Sequence, residues 1–193
     1  MILFFGPPGS GKSIQGKLLV QRNNWNWLST GELFRNSEDP AILAHLATGE
    51  LIDDERTNKL LDNTLRSITD KRRVVLDGYP RNTRQAEWLE EHLPDHGREI
   101  VAVIVFEVKR DVLIKRLAGR GRDEDKIEVI EKRLDIYNKR TEPVIEFFEK
   151  LGVPICRIDG HGDVNAIHER IQAAVKKCLP ENERRIIDDE NQS

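Results

Sequence analysis

Ile2-Leu3-Phe4-Phe5-Gly6-Pro7-Pro8-Gly9-Ser10-Gly11-Lys12-Ser13 is the stretch that decides the fold. Four apolar residues suited to a buried strand run directly into G-x-x-x-x-G-K-S, the phosphate-cradling P-loop pattern. Glycines let the backbone curl until successive N–H groups point inward at phosphate oxygens. Lys12 adds a point charge for the outer phosphates, and Ser13 can reach a Mg²⁺ ion. The apolar spacing of Ile14, Leu18 and Leu19 starts a helix behind the loop. Its positive end faces the same anion. Gly9, Ser10, Gly11, Lys12 and Ser13 are therefore read as phosphate ligands.

Outward from this stretch, short apolar runs alternate with amphipathic ones, the pattern of a parallel sheet covered by helices. Strands are read at Ile2–Phe5, Trp25–Ser29, Arg73–Asp77, Ile100–Glu107 and Val153–Asp159. Helices are read at Lys12–Gln21, Thr30–Arg35, Pro40–Thr48, Asp54–Ile68, Asn82–His92, Arg110–Leu117, Lys126–Leu151 and Val164–Lys177. The fold class this predicts is α/β, a P-loop NTPase with a five-stranded parallel sheet flanked by helices. Asp125 with Glu128 reads as a capping box opening the long helix, which Pro143 should kink or split. The polar tail Pro180–Ser193 reads as mobile.

The length of 193 residues suits one domain, read as 1–179. A net charge of −3 argues against a dedicated nucleic-acid binder. No apolar run is long enough to span a bilayer, and the first strand begins where a signal or transit peptide would lie. Cys156 and Cys178 lack metal spacing and sit in apolar patterns, so they are read as buried free thiols. Together these features lead to the expectation of a reducing, cytoplasmic setting. The five histidines share no motif and are read as surface or loop residues.

Two further features carry chemistry. The run Arg73-Val74-Val75-Leu76-Asp77-Gly78-Tyr79-Pro80-Arg81 ends a strand in a carboxylate. Strand ends of such sheets face the ligand crevice, so Asp77 is read as orienting Mg²⁺ and its waters. Arginines then recur. Arg116 and Arg120 stand four apart, as on one helix face, and Arg122 and Arg133 stand eleven apart, near whole helical turns. Converging beside a P-loop, they suggest a clamp on transferring phosphates.

With these pieces in order, the chain resembles the adenylate kinases and the wider nucleoside monophosphate kinases over roughly Ile2 to Lys177. The matching pieces are Gly6–Gln15, Ser29–Arg35, Gly49-Glu50-Leu51-Ile52, and Asp77-Gly78-Tyr79-Pro80-Arg81 with Gln85-Ala86. After them come Arg116 and Arg120, Arg122–Asp125, Lys132-Arg133-Leu134 and Ile158-Asp159-Gly160. The resemblance implies a reversible transfer, MgATP + AMP ⇌ 2 ADP. It implies that Lys12 holds the β- and γ-phosphates of ATP and that Arg116 lies against its adenine. Arg35 and Arg81 would grip the acceptor phosphate, while Thr30, Gly78, Ile52 and Gln85 surround its base. Arg120, Arg122 and Arg133 would close on the phosphates in flight. The backbone after Asp159-Gly160 would touch the ATP base. An acceptor-binding insert, about Thr30–Asn58, and a short lid, about Leu117–Lys126, would move against the sheet. The short lid leaves no room for a structural zinc site. The partners implied are ATP, AMP and ADP, with no nucleic acid and no membrane, for a monomer.

Gln85 and Thr30 resemble the AMP type, whereas Asn82 and Trp88 resemble pyrimidine-specific relatives. One departure stands out. The family usually reads Gly-Lys-Gly-Thr where this chain has Gly11-Lys12-Ser13-Ile14, so Ser13 is expected to replace the hydroxyl that Ile14 lacks. Two other readings share part of the pattern. One is a kinase for UMP, CMP or another small molecule, and the other is a catalytically weak nucleotide-dependent regulator.

Overall fold

The structure, a computed structural model, describes residues 1–70, 72–122 and 125–179. Strands β1 (Ile2–Phe5), β2 (Asn26–Ser29), β3 (Val74–Asp77), β4 (Ala102–Glu107) and β5 (Ile155–Asp159) form one parallel sheet in the order β2-β3-β1-β4-β5. Each strand matches the sequence reading to within two residues at either end. The central strands are apolar throughout because both faces are covered.

On β1 successive side chains point to opposite faces. Ile2 and Phe4 pack with Leu19 and Val20 of α1 (Lys12–Arg22) and with Ile167, Ile171 and Val175 of α9 (Val164–Cys178). Leu3 and Phe5 pack instead with α4 (Asp54–Ser67), α5 (Thr83–His92) and α8 (Glu142–Lys150) through Leu61, Leu89 and Phe148. Two short helices, α2 (Thr30–Arg35) and α3 (Pro40–Ala47), precede α4 between β2 and β3. Helices α6 (Arg110–Ala118) and α7 (Ile127–Ile136) share a small core of Leu113, Leu117, Ile130 and Leu134. The chain runs from β1 and β3 towards opposite sides of the sheet, so a crevice opens at the strand carboxyl ends.

Several sequence expectations change. The helix read over 126–151 is three pieces, with a π-helical turn, Tyr137–Thr141, between α7 and α8. Pro143 sits at the start of α8, where its missing N–H costs least. Asp125 caps nothing, since the residue before α7 is Lys126, whose side chain makes no capping bond. Because α7 starts at Ile127, Arg122 lies outside it, and the helical-turn argument for Arg122 and Arg133 does not hold. Arg120 likewise lies past the end of α6 and does not share a helix face with Arg116. The tail 180–193 and lid residues 123–124 lie outside the described residues.

The cysteine reading is also corrected. Cys156 of β5 and Cys178 at the end of α9 are joined as a disulfide, and both are half-buried. The packing of α9 along β5 brings together residues 22 apart that no spacing rule pairs. The argument from free thiols to a reducing compartment therefore falls. Nor are all histidines superficial. His168 is 1 % exposed inside α9, facing the Gln15 amide at 3.2 Å, and burial lowers its pKa to about 4, so it stays neutral. Among the described residues no helix is long and apolar enough to cross a membrane.

Trp27, whose role the sequence leaves open, packs its six-membered ring against α1 at Gly16. A Cβ on Gly16 would sit 1.9 Å from a ring carbon, while the indole N–H donates to Glu32 at 3.1 Å. Alanine is the better helix former by about 1 kcal/mol. Here the clash wins, because overpacking costs about 1–3 kcal/mol. Gly16→Ala is expected to lower stability by up to about 2 kcal/mol, the overpacking cost less the helix-propensity gain, measured by urea unfolding. An unchanged midpoint would show that Trp27 moves aside freely.

Candidate active site

The P-loop joins the end of β1 to α1. Gly9 (φ +82°) and Gly11 (φ +95°) take the left-handed backbone that L side chains rarely adopt. Gly9 also lies against α6, where a Cβ would come 2.9 Å from Leu117 Cγ. Lys12 folds back over the loop, its Nζ donating to Gly6 O (2.6 Å), Pro7 O (3.0 Å) and Ser10 Oγ (3.2 Å). Burial lowers the Lys12 pKa to about 8. Asp77 works against this, while Arg81, Arg133 and Arg120 push in the same direction as burial. A cation so desolvated and surrounded by cations is made stable by an arriving anion.

Asp77 ends β3 with 6 % exposure. The strand register sets Ser29 of β2 opposite it. Its Oδ2 accepts from Ser13 Oγ (3.1 Å) and Ser29 Oγ (3.2 Å). Its Oδ1 is buried with no hydrogen-bond partner among the described residues. A buried carboxylate oxygen without a donor calls for a ligand, and the water shell of a Mg²⁺ ion supplies donors of that kind. Ser13 and Asp77 thus fit the metal reading. Among the described residues no three His, Cys, Asp or Glu side chains gather as a cluster. Protein ligands to a metal here would be those two, the rest coming from phosphates and water. Ile14, 61 % exposed, offers only a methyl surface to the same cavity.

On the other side of Asp77 the chain turns through Gly78, the cis Tyr79–Pro80 peptide and Arg81 into α5. Arg81 anchors its Nε on Gly78 O at 2.7 Å, which leaves its Nη atoms to point onward. An ideal Cβ on Gly31 would lie 3.3 Å from Arg35 Nη1 and 3.6 Å from Arg81 Nη2. Two guanidinium groups therefore meet over one glycine, an arrangement that like charges adopt to share an anion. Thr30 Oγ1 donates to Gly78 O at 2.9 Å. Gln85, 1 % exposed, accepts from the Arg81 backbone N–H at 2.8 Å. Asn82, which resembled pyrimidine-specific relatives, serves as the N-cap of α5, and Trp88 stacks on His92.

The third group of arginines is organised by a residue the sequence reading misassigned. Asp125, 3 % exposed at its side chain, takes both a bidentate pair from Arg120 and the backbone N–H of Arg122 (3.0 Å), with Arg133 Nη1 at 3.9 Å. Burial alone would raise its pKa, but these donors outweigh burial and hold it below the usual carboxylate range. Arg116 donates to Gly160 O at 3.1 Å and so ties α6 to the loop after β5.

All sixteen residues singled out from the sequence line one cavity of about 760 Å³, a size suited to small organic ligands. The P-loop and Asp77 stand at its middle. Arg35, Arg81, Thr30, Ile52, Gly78 and Gln85 line one end, and Arg116 with Gly162 lines the other. Two residues the sequence reading did not place in the site support it from behind. These are Asp125 under the arginines and Asp54, which accepts from Gln85 Nε2 at 2.8 Å. Asp54 opens a helix, a position where acidic residues are common, so nothing in its spacing marks it.

Comparison with known proteins bears on most of the chain. The profile of the adenylate kinase family matches residues 4–153. An adenylate kinase of Prochlorococcus marinus (strain MIT 9211) is 38 % identical over 182 residues, covering 90 % of this chain and 96 % of the relative. One from Mycobacterium tuberculosis (strain ATCC 25177 / H37Ra) is 36 % identical, covering 91 % and 99 %. One from Pyrococcus horikoshii is 33 % identical, covering 89 % and 93 %.

Proposed function

The chain belongs to the adenylate kinase family, and from that membership we infer which of its side chains carry the transfer of a phosphoryl group from MgATP to AMP. ATP phosphates lie in the P-loop, held by its N–H groups, the α1 N-terminus and Lys12. AMP occupies the end of the cavity bounded by Arg35, Arg81 and Gln85. Its phosphate oxygen is the nucleophile and is already anionic, so no general base is required. Catalysis is positioning plus electrostatic stabilisation. Arg81, Arg120, Arg122 and Arg133 spread donors around charge that is shared by the entering, transferring and leaving groups. Mg²⁺ arrives with ATP, where Ser13 and the waters facing Asp77 would hold it and where it neutralises phosphate charge.

The observation that carries this reading is the meeting of Arg35 and Arg81 over Gly31, beside Gln85 and across one cavity from Lys12. A P-loop protein that only binds nucleotide has no use for a second phosphate grip. The segment of about Thr30–Asn58 acts as the acceptor-binding insert and the segment of about Leu117–Lys126 as a short lid, both closing to exclude water from the phosphates. The protein works as a monomer on ATP, AMP and ADP. Among the described residues the exposed large apolar side chains lie on separate stretches rather than one element, and a net charge of −3 does not favour nucleic acid. The cytoplasm, where these nucleotides meet, is the setting this implies.

The deciding experiment measures Mg²⁺-dependent ADP formation from ATP with AMP, dAMP, CMP, UMP and GMP in parallel. Fastest turnover with AMP is expected. Faster turnover with UMP or CMP would overturn the assignment of Gln85, and no transfer to any acceptor would overturn the reading as a whole.

The Lys12 environment adds a pH dependence. Before nucleotide binds, burial holds the Lys12 pKa at about 8, and bound phosphates raise it, so binding takes up a proton above that pH. Affinity for ATP is then full below pH 8 and falls by up to about tenfold per pH unit above it, until the pKa of the complex is reached. Calorimetric Kd values from pH 6.5 to 9.5 test this, and a flat profile would contradict it.

A further inference from the structure

We propose that Asp54 sets which bases the acceptor site admits by locking the orientation of the Gln85 amide. The proposal rests on Gln85 reading the acceptor base. Asp54 does not line the cavity. It stands half-buried at the first turn of α4, behind Gln85.

The Gln85 amide has two fixed partners. Its Oε1 accepts from the Arg81 backbone N–H at 2.8 Å, and its Nε2 donates to Asp54 Oδ1 at 2.8 Å. A backbone N–H can only donate and a carboxylate can only accept. The partners themselves therefore dictate which amide atom is oxygen and which is nitrogen. Asn82 holds the same Asp54 oxygen through its Nδ2 at 2.8 Å, while its own Oδ1 caps the Gln85 backbone N–H at 2.9 Å. Both ends of the contact are thereby fixed.

An amide oxygen accepts twice and its nitrogen donates twice. With one of each used internally, Gln85 keeps one lone pair and one N–H, side by side, for the cavity it lines. That pair complements a base edge carrying an amino donor next to a ring-nitrogen acceptor, as in a 6-aminopurine. A 6-oxopurine offers the reverse order, a carbonyl next to a ring N–H. To meet it the amide would have to turn over. Its N–H groups would then face the Arg81 N–H, and its oxygen would face the Asp54 carboxylate. Asp54 therefore acts as a positioning residue that excludes 6-oxopurines electronically, without touching the nucleotide. A 4-aminopyrimidine carries the same donor–acceptor order as adenine, so its exclusion falls to cavity shape.

The test compares kcat/KM for AMP and for inosine monophosphate, which differ at this edge and in little else. The variants are Asp54→Asn, Asp54→Ala and Gln85→Ala. Asparagine at 54 can accept or donate, which removes one of the two constraints on the Gln85 amide and leaves only the Arg81 N–H to oppose its turning over. The AMP-to-IMP ratio is expected to fall about tenfold or more in both Asp54 variants, the scale of one charge-assisted hydrogen bond, mainly through a lower KM for IMP. A merely structural Asp54 would change both acceptors alike and leave the ratio constant. A constant ratio in Asp54→Asn, with Gln85→Ala still impairing AMP, would overturn the role of Asp54. An unimpaired Gln85→Ala would instead overturn Gln85 as base reader. If Asp54→Ala folds poorly, Asp54→Asn decides alone.

Discussion

Replacing Arg81 with alanine is expected to lower kcat/KM for AMP by about 10³-fold. A clamping arginine in phosphoryl transfer is worth about 10³–10⁵ in rate, and sharing the proposed anion with Arg35, whose guanidinium also lies over Gly31, puts Arg81 at the lower end. Its guanidinium is pinned by Nε to Gly78 O at 2.7 Å, so its Nη donors meet the phosphate without losing much side-chain freedom. Burial lowers its pKa but leaves the side chain charged, with Asp77 supporting the cation. The variant is informative because the backbone of residue 81 keeps its bonds to Gln85 Oε1 (2.8 Å) and Thr141 Oγ1 (2.9 Å). The base-reading end therefore survives, and the loss reports on the side chain. Arg81→Lys should recover little, since lysine brings a charge without the planar fork. Initial rates at saturating MgATP measure this, and a loss smaller than tenfold would remove Arg81 from the transfer.

The second large effect is expected at Lys12. Methionine there keeps the length and removes the charge, and kcat/KM for ATP should fall by at least about 10³-fold. Removal of a single stabilising donor costs about 10²–10³, and Lys12 has two tasks. In the proposed reading it neutralises the outer phosphates, and through Gly6 O, Pro7 O and Ser10 Oγ it holds the loop in shape. Stability should move the other way. In the free protein this cation is desolvated and lies among Arg81, Arg120 and Arg133, so removing its charge relieves a cost. Thermal unfolding of Lys12→Met is expected at the wild-type midpoint or above it. Lost activity together with a lower midpoint would mean that the loop collapsed, and retained activity would mean that Lys12 does not meet the phosphates.

Much of the site is legible in the chain because its parts are local motifs at the ends of strands. Gly9 to Ser13 form one continuous loop and the start of α1, and Asp77 to Gln85 form one strand end, turn and first helical turn. A parallel sheet carries all such ends to the same edge, so reading the motifs in order already groups them. The arginine group is legible in membership but not in arrangement. Helical spacing is the wrong ruler for Arg120 and Arg122, which lie between α6 and α7. Asp125 reads as a cap because an acidic residue ahead of a helix usually is one. Two arginines and a backbone N–H outbid the helix for its oxygens.

By itself the sequence determined the α/β class, the strands and all the helices it read except the one spanning 126–151, the phosphate loop, the sixteen cavity-lining residues it singled out and, through its relatives, the reaction. All of these depend on periodicity or on contiguous motifs, which hydrophobic burial and backbone sterics translate directly into structure. Tertiary structure alone decided the rest. It set Trp27 against Gly16, joined Cys156 to Cys178, buried His168 beside Gln15, and placed Asp54 behind Gln85. Each of these pairs residues from different elements, at separations of 11 to 153 positions along the chain. Such contacts form only once the elements have docked, and no local pattern of apolar and polar residues encodes which side chains will then meet.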